Sequence, residues 1–280
     1  MTAPLLQVDT VGKTYTSGGL FGTARNRAVD QVSFELLADR PEIFTIIGES
    51  GSGKTTLSRM ILNMVTPSDG RIVFDGRDLA TIRRDRNRRA FMARVQPIFQ
   101  NPFEAFNPLK RVDRYLYMTA RSFTGAKATA EIERAADMAL QRVGLSLAEV
   151  KGRFPHELSG GQLQRIAIAR ALIPTPSIIV ADEPVSMVDA SLKMTIVNLF
   201  KMLRDELGIS ILYITHDLAT AYYISDRLII MQKGKVVEQG DARTVLAAPQ
   251  HPYSQLLRNA VLSVDDAFDA VEEEARPVTA

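Results

Sequence analysis

The sequence contains no cysteine in its 280 residues. That absence excludes disulfide bonds, cysteine-ligated zinc or iron–sulfur centres and a thiol nucleophile. An excess of one charge is also missing, since 34 Lys and Arg are matched by 32 Asp and Glu, which leaves a net charge of +2. The overall charge therefore gives no argument for nucleic-acid binding, and function has to be read from motifs.

Long apolar runs are missing as well. Apolar segments such as residues 209–214 are much shorter than the roughly 20 residues that a membrane-spanning helix needs. The first ten residues have neither a basic start nor a long apolar stretch, so we expect no secretory signal and a cytoplasmic location. The composition, 46% hydrophobic and 24% charged, is typical of a folded chain with one large or two small domains.

The first third of the chain has the pattern of short strands separated by turns. β-Branched and apolar residues predict strands at residues 5–11, 28–37, 43–47 and 71–74. A helix is predicted from Gly53 to about Met64. The Gly-rich stretch at residues 17–26 predicts an exposed loop.

The hydrophobic pattern of the remaining chain changes twice. Residues 101–176 have helical periodicity, with Ile132, Ala136, Ala139 and Val143 on one face, which predicts an inserted helical subdomain. After residue 177, short apolar strands alternate with helical patterns. That alternation predicts a parallel sheet covered by helices on both faces.

One motif carries a specific chemistry. Residues 48–55 read GESGSGKT and fit the P-loop pattern G-x-x-x-x-G-K-[ST] between a predicted strand and a predicted helix. Backbone N–H groups of such a loop surround phosphate oxygens, and the N-terminus of the following helix adds its partial positive charge. We expect Lys54 to reach the β- and γ-phosphates of a nucleotide and the Thr55 hydroxyl to bind Mg²⁺.

Two adjacent carboxylates follow the apolar strand predicted at residues 178–181. Asp182 suits the metal ion of a phosphoryl-transfer site and Glu183 suits the attacking water. Adjacent carboxylates at the end of a buried strand are costly unless a cation compensates them, and Mg²⁺ would do so.

A second phosphate-binding feature lies at residues 158–162, which read LSGGQ and precede a helical run. Ser159, Gly160 and Gly161 therefore lie at a helix N-terminus, where backbone N–H groups bind anions. LSGGQ with a P-loop upstream and Asp-Glu downstream resembles the ATP-binding cassette (ABC) family, from about Val8 to Ser254. The resemblance implies an ATPase with an α/β fold: a P-loop NTPase with a parallel-sheet core, an N-terminal antiparallel β subdomain and an inserted helical subdomain.

Further residues match functional positions of that family. Tyr15 matches the aromatic residue that stacks on adenine, and Gln100 matches the glutamine that contacts Mg²⁺ and the attacking water. Asp189 matches the aspartate that communicates across a cassette dimer, and His216 matches the histidine that contacts the γ-phosphate. In this family two cassettes pair head to tail, with each ATP between the P-loop of one chain and the LSGGQ of the other. One copy alone is then expected to be incomplete.

The motifs and the resemblance together define three sets of candidates. The catalytic candidates are Glu183, His216 and Gln100, and the candidates for binding Mg²⁺ are Thr55, Gln100 and Asp182. The candidates for binding ATP are Tyr15, Gly48, Glu49, Ser50, Gly51, Ser52, Gly53, Lys54, Thr55, Thr56, Ser159, Gly160, Gly161, Gln162 and Asp189.

The end of the chain indicates a subfamily. His251, Pro252 and Tyr253 resemble the C-terminal extension of the oligopeptide, dipeptide and nickel importer ATPases. The resemblance implies an ATPase domain at residues 1–248, with its helical subdomain at about 101–176, and a C-terminal extension with an acidic tail at 249–280. Peptides are the expected solute, with oligosaccharides or nickel left open.

The same resemblance implies a set of partners and a location. The chain is expected at the cytoplasmic face of the inner (plasma) membrane, as a peripheral subunit beneath two permease subunits. A separate extracytoplasmic solute-binding protein would act with them. We expect a second, different ABC ATPase subunit, with a homodimer as the alternative.

Two other functions compete with solute import. A soluble ABC protein acting on DNA or ribosomes usually carries coiled-coil or zinc insertions or two cassettes, whereas this chain has one cassette and no cysteine. A regulatory cassette without turnover is disfavoured by the intact Lys54, Asp182, Glu183 and His216. The arginine cluster at residues 83–94 is more simply a charged helix face than a nucleic-acid surface, and we expect no nucleic-acid partner.

Overall fold

The computed structural model describes residues 3–19, 22–82, 85–101, 103 and 105–260. Within these residues the strands are β1 (Pro4–Gly19), β2 (Gly22–Leu37), β3 (Ile43–Ile47), β4 (Asp69–Phe74), β5 (Arg77–Asp78), β6 (Val95–Ile98), β7 (Ile178–Asp182), β8 (Ser210–Thr215), β9 (Arg227–Gln232) and β10 (Lys235–Asp241). The helices are α1 (Lys54–Ile61), α2 (Asp85–Arg94), α3 (Val112–Phe123), α4 (Thr129–Gln141), α5 (Leu147–Val150), α6 (Gly160–Leu172), α7 (Ala190–Leu207), α8 (Leu218–Ile224), α9 (Ala242–Ala247) and α10 (Pro252–Ala260).

The described strands form two sheets. An antiparallel sheet has the order β2-β1-β4-β5, and the larger sheet has the order β10-β9-β3-β8-β7-β6. In the larger sheet β10 runs antiparallel to β9, and the other neighbours are parallel. β3 and β8 are buried along their whole length, as expected where helices cover both faces of a parallel sheet. The carboxyl ends of β3, β8 and β7 meet at one edge, which is where open α/β sheets bind ligands.

The core consists of apolar clusters on the two faces of the larger sheet. Between the two sheets the rings of Phe34 and Phe44 stack with centroids 4.6 Å apart. On the other face Phe200 of α7 packs edge-on against Tyr213 of β8, with centroids 5.9 Å apart. A third cluster joins β3 and β9 to α8, α9 and α10. β3 is therefore anchored on both faces, and its carboxyl end fixes where the following loop begins.

The predicted helical region is present as α3 to α6. Ile132, Ala136, Ala139 and Val143 are all buried, in the same cluster as residues of α3 and α6. The helical periodicity therefore identified the correct buried face.

The prediction of a loop at residues 17–26 is wrong for residues 17–19 and 22–26, and residues 20 and 21 lie outside the described residues. β1 and β2 pair through this region, with Tyr15 opposite Asn26, Ser17 opposite Ala24 and Gly19 opposite Gly22. Strand pairing satisfies backbone N–H and C=O groups whatever the side chains are, so a strand can have the Gly-rich composition of a loop. The helix predicted to about Met64 also ends earlier, at Ile61, and Asn63 adopts a left-handed φ of 53° just beyond it.

Two further features concern the membrane and the charged segments. No helix in the described part of the chain is long and apolar enough to cross a membrane. Arg83, Arg84 and the acidic tail after residue 260 lie outside the described residues.

Candidate active site

The P-loop between β3 and α1 passes very close to two strands. A Cβ on Gly53, which has a φ of 105°, would lie 2.2 Å from the carbonyl oxygen of Ala28 in β2. A Cβ on Gly48 would lie 2.3 Å from the carbonyl oxygen of Met231 in β9. Only glycine allows these approaches. They hold the loop in place at the N-terminus of α1, where backbone N–H groups favour an anion.

Lys54 is folded back onto the loop. Its side chain is buried, and Nζ donates hydrogen bonds to the carbonyl oxygens of Gly48 at 2.5 Å and Glu49 at 2.8 Å. Burial lowers the pKa of Lys54, while the nearby carboxylates of Glu183, Asp182 and Glu49 oppose that shift. The ammonium group is therefore placed where phosphate oxygens can replace the carbonyl oxygens of the loop.

Glu183 follows β7 in a strained conformation. Its φ of 47° is in the left-handed region, which costs a non-glycine residue about 1–3 kcal/mol and is typical of functional sites. Its side chain lies between two others: Gln100 Nε2 donates to Oε2 at 3.0 Å, and His216 Nδ1 lies 3.0 Å from Oε1. Three predicted catalytic residues, from the ends of three neighbouring strands, therefore meet at one carboxylate.

Asp182, the last residue of β7, lies beside α1. The single hydrogen of the Ser58 hydroxyl is shared between Asp182 Oδ2, at 3.3 Å, and the carbonyl oxygen of Thr55, at 3.0 Å. Burial raises the pKa of Asp182, and the hydrogen bond from Ser58 opposes the shift. A half-buried carboxylate next to Thr55 would be stabilised by a bound cation.

A cavity of about 760 Å³ opens over the P-loop, within the range of small-molecule sites. It is lined by Tyr15, Asn26, Ala28, Ile47, Gly48, Glu49, Ser50, Gly51, Gly53, Lys54, Thr55, Thr56, Gln100, Glu183, His216 and Leu257. Tyr15 is 41% exposed, which leaves its ring accessible. Of the P-loop residues, Ser52 is buried and does not line the cavity.

Sequence reasoning missed some of the lining. Asn26 fell within the stretch predicted as a loop, and Leu257 lies in α10, far along the chain from the P-loop. Their position in the cavity depends on the pairing of β1 with β2 and on the packing of α10. Neither contact leaves a local signal in the sequence.

The predicted LSGGQ residues form a separate group at the start of α6. The Ser159 hydroxyl accepts the Gln162 N–H at 3.2 Å, and Gln162 Oε1 accepts the Ser159 N–H at 2.9 Å, so the two side chains cap the helix. A Cβ on Gly161 would lie 2.6 Å from Leu192 Cδ1 of α7. Asp189 is the residue immediately before α7. None of residues 159–162 and 189 is among the described residues that line the cavity.

Comparison with known proteins places this site in a family. The sequence matches the ABC transporter family over residues 29–186. The chain belongs to the ABC transporter family. A putative peptide import ATP-binding protein of Brucella ovis is 41% identical over 262 residues, which cover 94% of this chain and 80% of that protein. The oligopeptide transport ATP-binding protein AppF of Bacillus subtilis is 38% identical over 238 residues, which cover 84% of this chain and 70% of AppF.

Solved structures of ABC cassettes have the same fold. One of them is the dimeric ATP-binding cassette MJ0796, in a post-hydrolysis state bound to ADP and Pi. It matches with a TM-score of 0.75 and 28% identity, and the match covers 85% of the present chain and 99% of the MJ0796 chain. CbiO1 from Clostridium perfringens, part of the cbiONQ transporter complex, has a TM-score of 0.73 and 26% identity, over 96% and 99% of the two chains. The expected family and fold class are therefore confirmed.

Proposed function

We propose that this chain is the ATP-hydrolysing subunit of an ABC importer of peptides. The observation that carries the proposal is the single cavity in which the P-loop, Gln100, Glu183 and His216 converge. Relatives named for the import of peptides and the transport of oligopeptides support peptides as the solute.

ATP would bind with its phosphates on the P-loop. The N-terminus of α1 and the ammonium group of Lys54 supply positive charge there, and phosphate oxygens would take over the two hydrogen bonds that Nζ now donates to the loop. The accessible ring of Tyr15 lies at the same cavity and offers a face for stacking on adenine.

The residues beside the P-loop fit a magnesium ion. The Thr55 hydroxyl, the Asp182 carboxylate and the Gln100 amide oxygen are the oxygen ligands that Mg²⁺ prefers. Partial burial raises the pKa of the Asp182 carboxyl, so a nearby cation would stabilise its charged form. When bound, Mg²⁺ would neutralise charge on the β- and γ-phosphates.

Glu183 would orient the attacking water and accept its proton. Its side chain is 17% exposed, so it is shielded while its carboxylate lines the cavity. Gln100 and His216 hold one carboxylate oxygen each, which fixes the direction of the base. The more exposed His216 also lines the cavity, where it would contact the γ-phosphate.

A second cassette would complete the site. Ser159, Gly160, Gly161, Gln162 and Asp189 lie outside the cavity of their own chain and would face the ATP held by a partner. We propose a different ABC ATPase as that partner, with a second copy of this chain as the alternative. ATP would then hold the two cassettes together, and hydrolysis would release them.

The proposed assembly lies at the cytoplasmic face of the membrane. Two permease subunits would anchor the chain, and an extracytoplasmic binding protein would deliver the solute. We propose residues 1–248 as the ATPase domain, with a helical subdomain at about 101–176, and residues 249–280 as a C-terminal extension.

Extraction of the tagged chain from its native membranes in mild detergent, followed by mass spectrometry, tests this assembly. We expect two permease subunits and a second cassette to copurify in near-equal amounts. Peptide-stimulated ATP turnover of that complex, in the presence of its binding protein, would test the solute. Recovery in the soluble fraction with ribosomal or DNA-processing proteins would contradict the importer function and favour the alternative.

A further inference from the structure

Helix α10, close to the end of the described chain, is in direct contact with the P-loop. The phenol oxygen of Tyr253 accepts a hydrogen bond from the backbone N–H of Glu49 at 3.0 Å, across 204 residues of sequence. The side chain of Tyr253 is buried. One turn further along α10, Leu257 lines the nucleotide cavity itself.

The peptide group between Gly48 and Glu49 is hydrogen-bonded to Tyr253 on one side and to Lys54 on the other. The Glu49 N–H and the Gly48 carbonyl belong to the same peptide unit, which is planar. Tyr253 accepts from the N–H, and Lys54 Nζ donates to the Gly48 carbonyl oxygen at 2.5 Å. Rotation of this peptide group would break both hydrogen bonds together. The orientation of Tyr253 is therefore linked to that of the P-loop lysine.

The next peptide group of the loop depends on the same residue. The carbonyl oxygen of Glu49 accepts hydrogen bonds from the Ser52 N–H at 3.2 Å and from Lys54 Nζ at 2.8 Å. Glu49 is thus bonded through its N–H to α10 and through its C=O to the turn of the P-loop. A shift of Glu49 would disturb the loop on both sides.

Tyr253 is itself firmly placed. Its ring packs in the apolar cluster that contains Ile47 of β3 and Ile230 of β9. Its N–H donates to His251 Nδ1 at 3.2 Å, and the Glu238 carboxylate accepts the N–H of His251 at 3.2 Å. Burial raises the pKa of the Tyr253 phenol, which therefore stays neutral near pH 7. The support of the phenol comes from the core sheet and not from the P-loop.

We propose that Tyr253 is a positioning residue for ATP binding, which holds the peptide group between Gly48 and Glu49 in the orientation that the P-loop needs. The C-terminal segment then sets the affinity of the site for nucleotide, although it contributes no catalytic group. The identity of the ligand as ATP rests on the function proposed above.

The full-length Tyr253→Phe variant tests this inference, since it keeps the ring and removes only the phenol oxygen. The matched control is Tyr117→Phe in α3, which removes a phenol that donates to Glu133 at 3.4 Å and does not line the cavity. Loss of one hydrogen bond at Glu49 should raise the Kd for ATP of Tyr253→Phe about threefold to tenfold. The control should bind ATP as wild type does.

A split between KM and kcat separates positioning from a merely structural role. We expect Tyr253→Phe to raise KM for ATP by the same factor as Kd, with turnover at saturating ATP within about twofold of wild type. Unchanged ATP affinity, or a lower kcat with unchanged KM, would overturn the inference.

Lys54→Ala, measured in parallel, separates this inference from the proposed function. If Lys54→Ala loses ATP binding while Tyr253→Phe keeps wild-type affinity, only the positioning role fails. If Lys54→Ala binds ATP as wild type does, the proposed nucleotide site itself fails.

Discussion

Two groups of predicted site residues differ in whether they line the cavity of their own chain. The cavity group consists of Tyr15, residues 48–51 and 53–56, Gln100, Glu183 and His216. These residues line one cavity, and hydrogen bonds join Lys54 to Gly48 and Glu183 to Gln100 and His216. The signature group, residues 159–162 and Asp189, caps and packs the starts of α6 and α7 and lies away from that cavity. Under the proposed function, one chain would bind ATP, whereas hydrolysis would need a second chain.

The largest expected effect comes from replacing Glu183, the proposed general base. Glu183→Gln keeps the shape of the side chain but replaces one acceptor oxygen with an NH₂ group and removes the proton acceptor, so turnover should fall about 10²–10⁴-fold. ATP affinity should stay within about twofold of wild type. Steady-state ATPase assays and equilibrium binding of ATP check this prediction.

Glu206→Gln is the matched control, since Glu206 is an exposed carboxylate on α7. It should leave both turnover and affinity unchanged. Near-normal turnover of Glu183→Gln would remove Glu183 from the role of general base.

A negative charge added to the signature group should lower ATP turnover without lowering the stability of the fold. A Cβ on Gly160 would make only an ordinary contact, 3.5 Å from the Met187 carbonyl oxygen, and an aspartate in the first helical turn does not destabilise a helix. Gly160→Asp should therefore fold normally, with a free energy of unfolding within about 0.5 kcal/mol of wild type. Its carboxylate would repel the phosphates of a partner's ATP, so turnover should fall about tenfold to a hundredfold.

ATP binding to the dilute, monomeric Gly160→Asp chain should be unchanged, because the signature group does not line its cavity. Equilibrium ATP binding and urea unfolding of the same preparation check this prediction. A loss of ATP affinity as large as that of Lys54→Ala would contradict the claim that the signature group does not bind ATP of its own chain.

The smallest expected effect lies at the rim of the cavity. Tyr15→Ala removes the ring expected to stack on adenine, and aromatic stacking contributes about 0.5–1.5 kcal/mol. ATP affinity should fall about twofold to tenfold, whereas Tyr15→Phe should keep it. Nucleotide titrations of the two variants check this, and equal affinities for both variants would place adenine elsewhere.

The sequence allowed prediction of features that local pattern encodes. The P-loop and the acidic end of β7 follow from glycine spacing and from charge after an apolar run, and the fold class follows from alternating strands and helices. The capping role of Ser159 and Gln162 is also local, since a helix start needs acceptors for its first N–H groups.

Features that depend on distant contacts were not predictable. Residues 17–19 and 22–26 have the composition of a loop, yet they pair as strands of the β1–β2 ribbon. β6 and β10 were also not predicted; β10 is an edge strand, and none of its residues is fully buried. The hydrogen bond from Glu49 to Tyr253 joins residues 204 positions apart, and no periodicity reports such a contact.

Mixing two variants that are impaired at different groups tests the division between the groups most directly. Lys54→Ala disables the cavity group of its chain, and Gly160→Asp disables the signature group of its chain. In a head-to-tail pair of the two variants, one site combines both defects and the other site is intact. Random pairing in an equal mixture should therefore restore about a quarter of wild-type ATP turnover, measured under conditions in which the purified wild-type chain is active. Turnover of the mixture no higher than that of the separate variants would contradict a site shared between two copies of this chain.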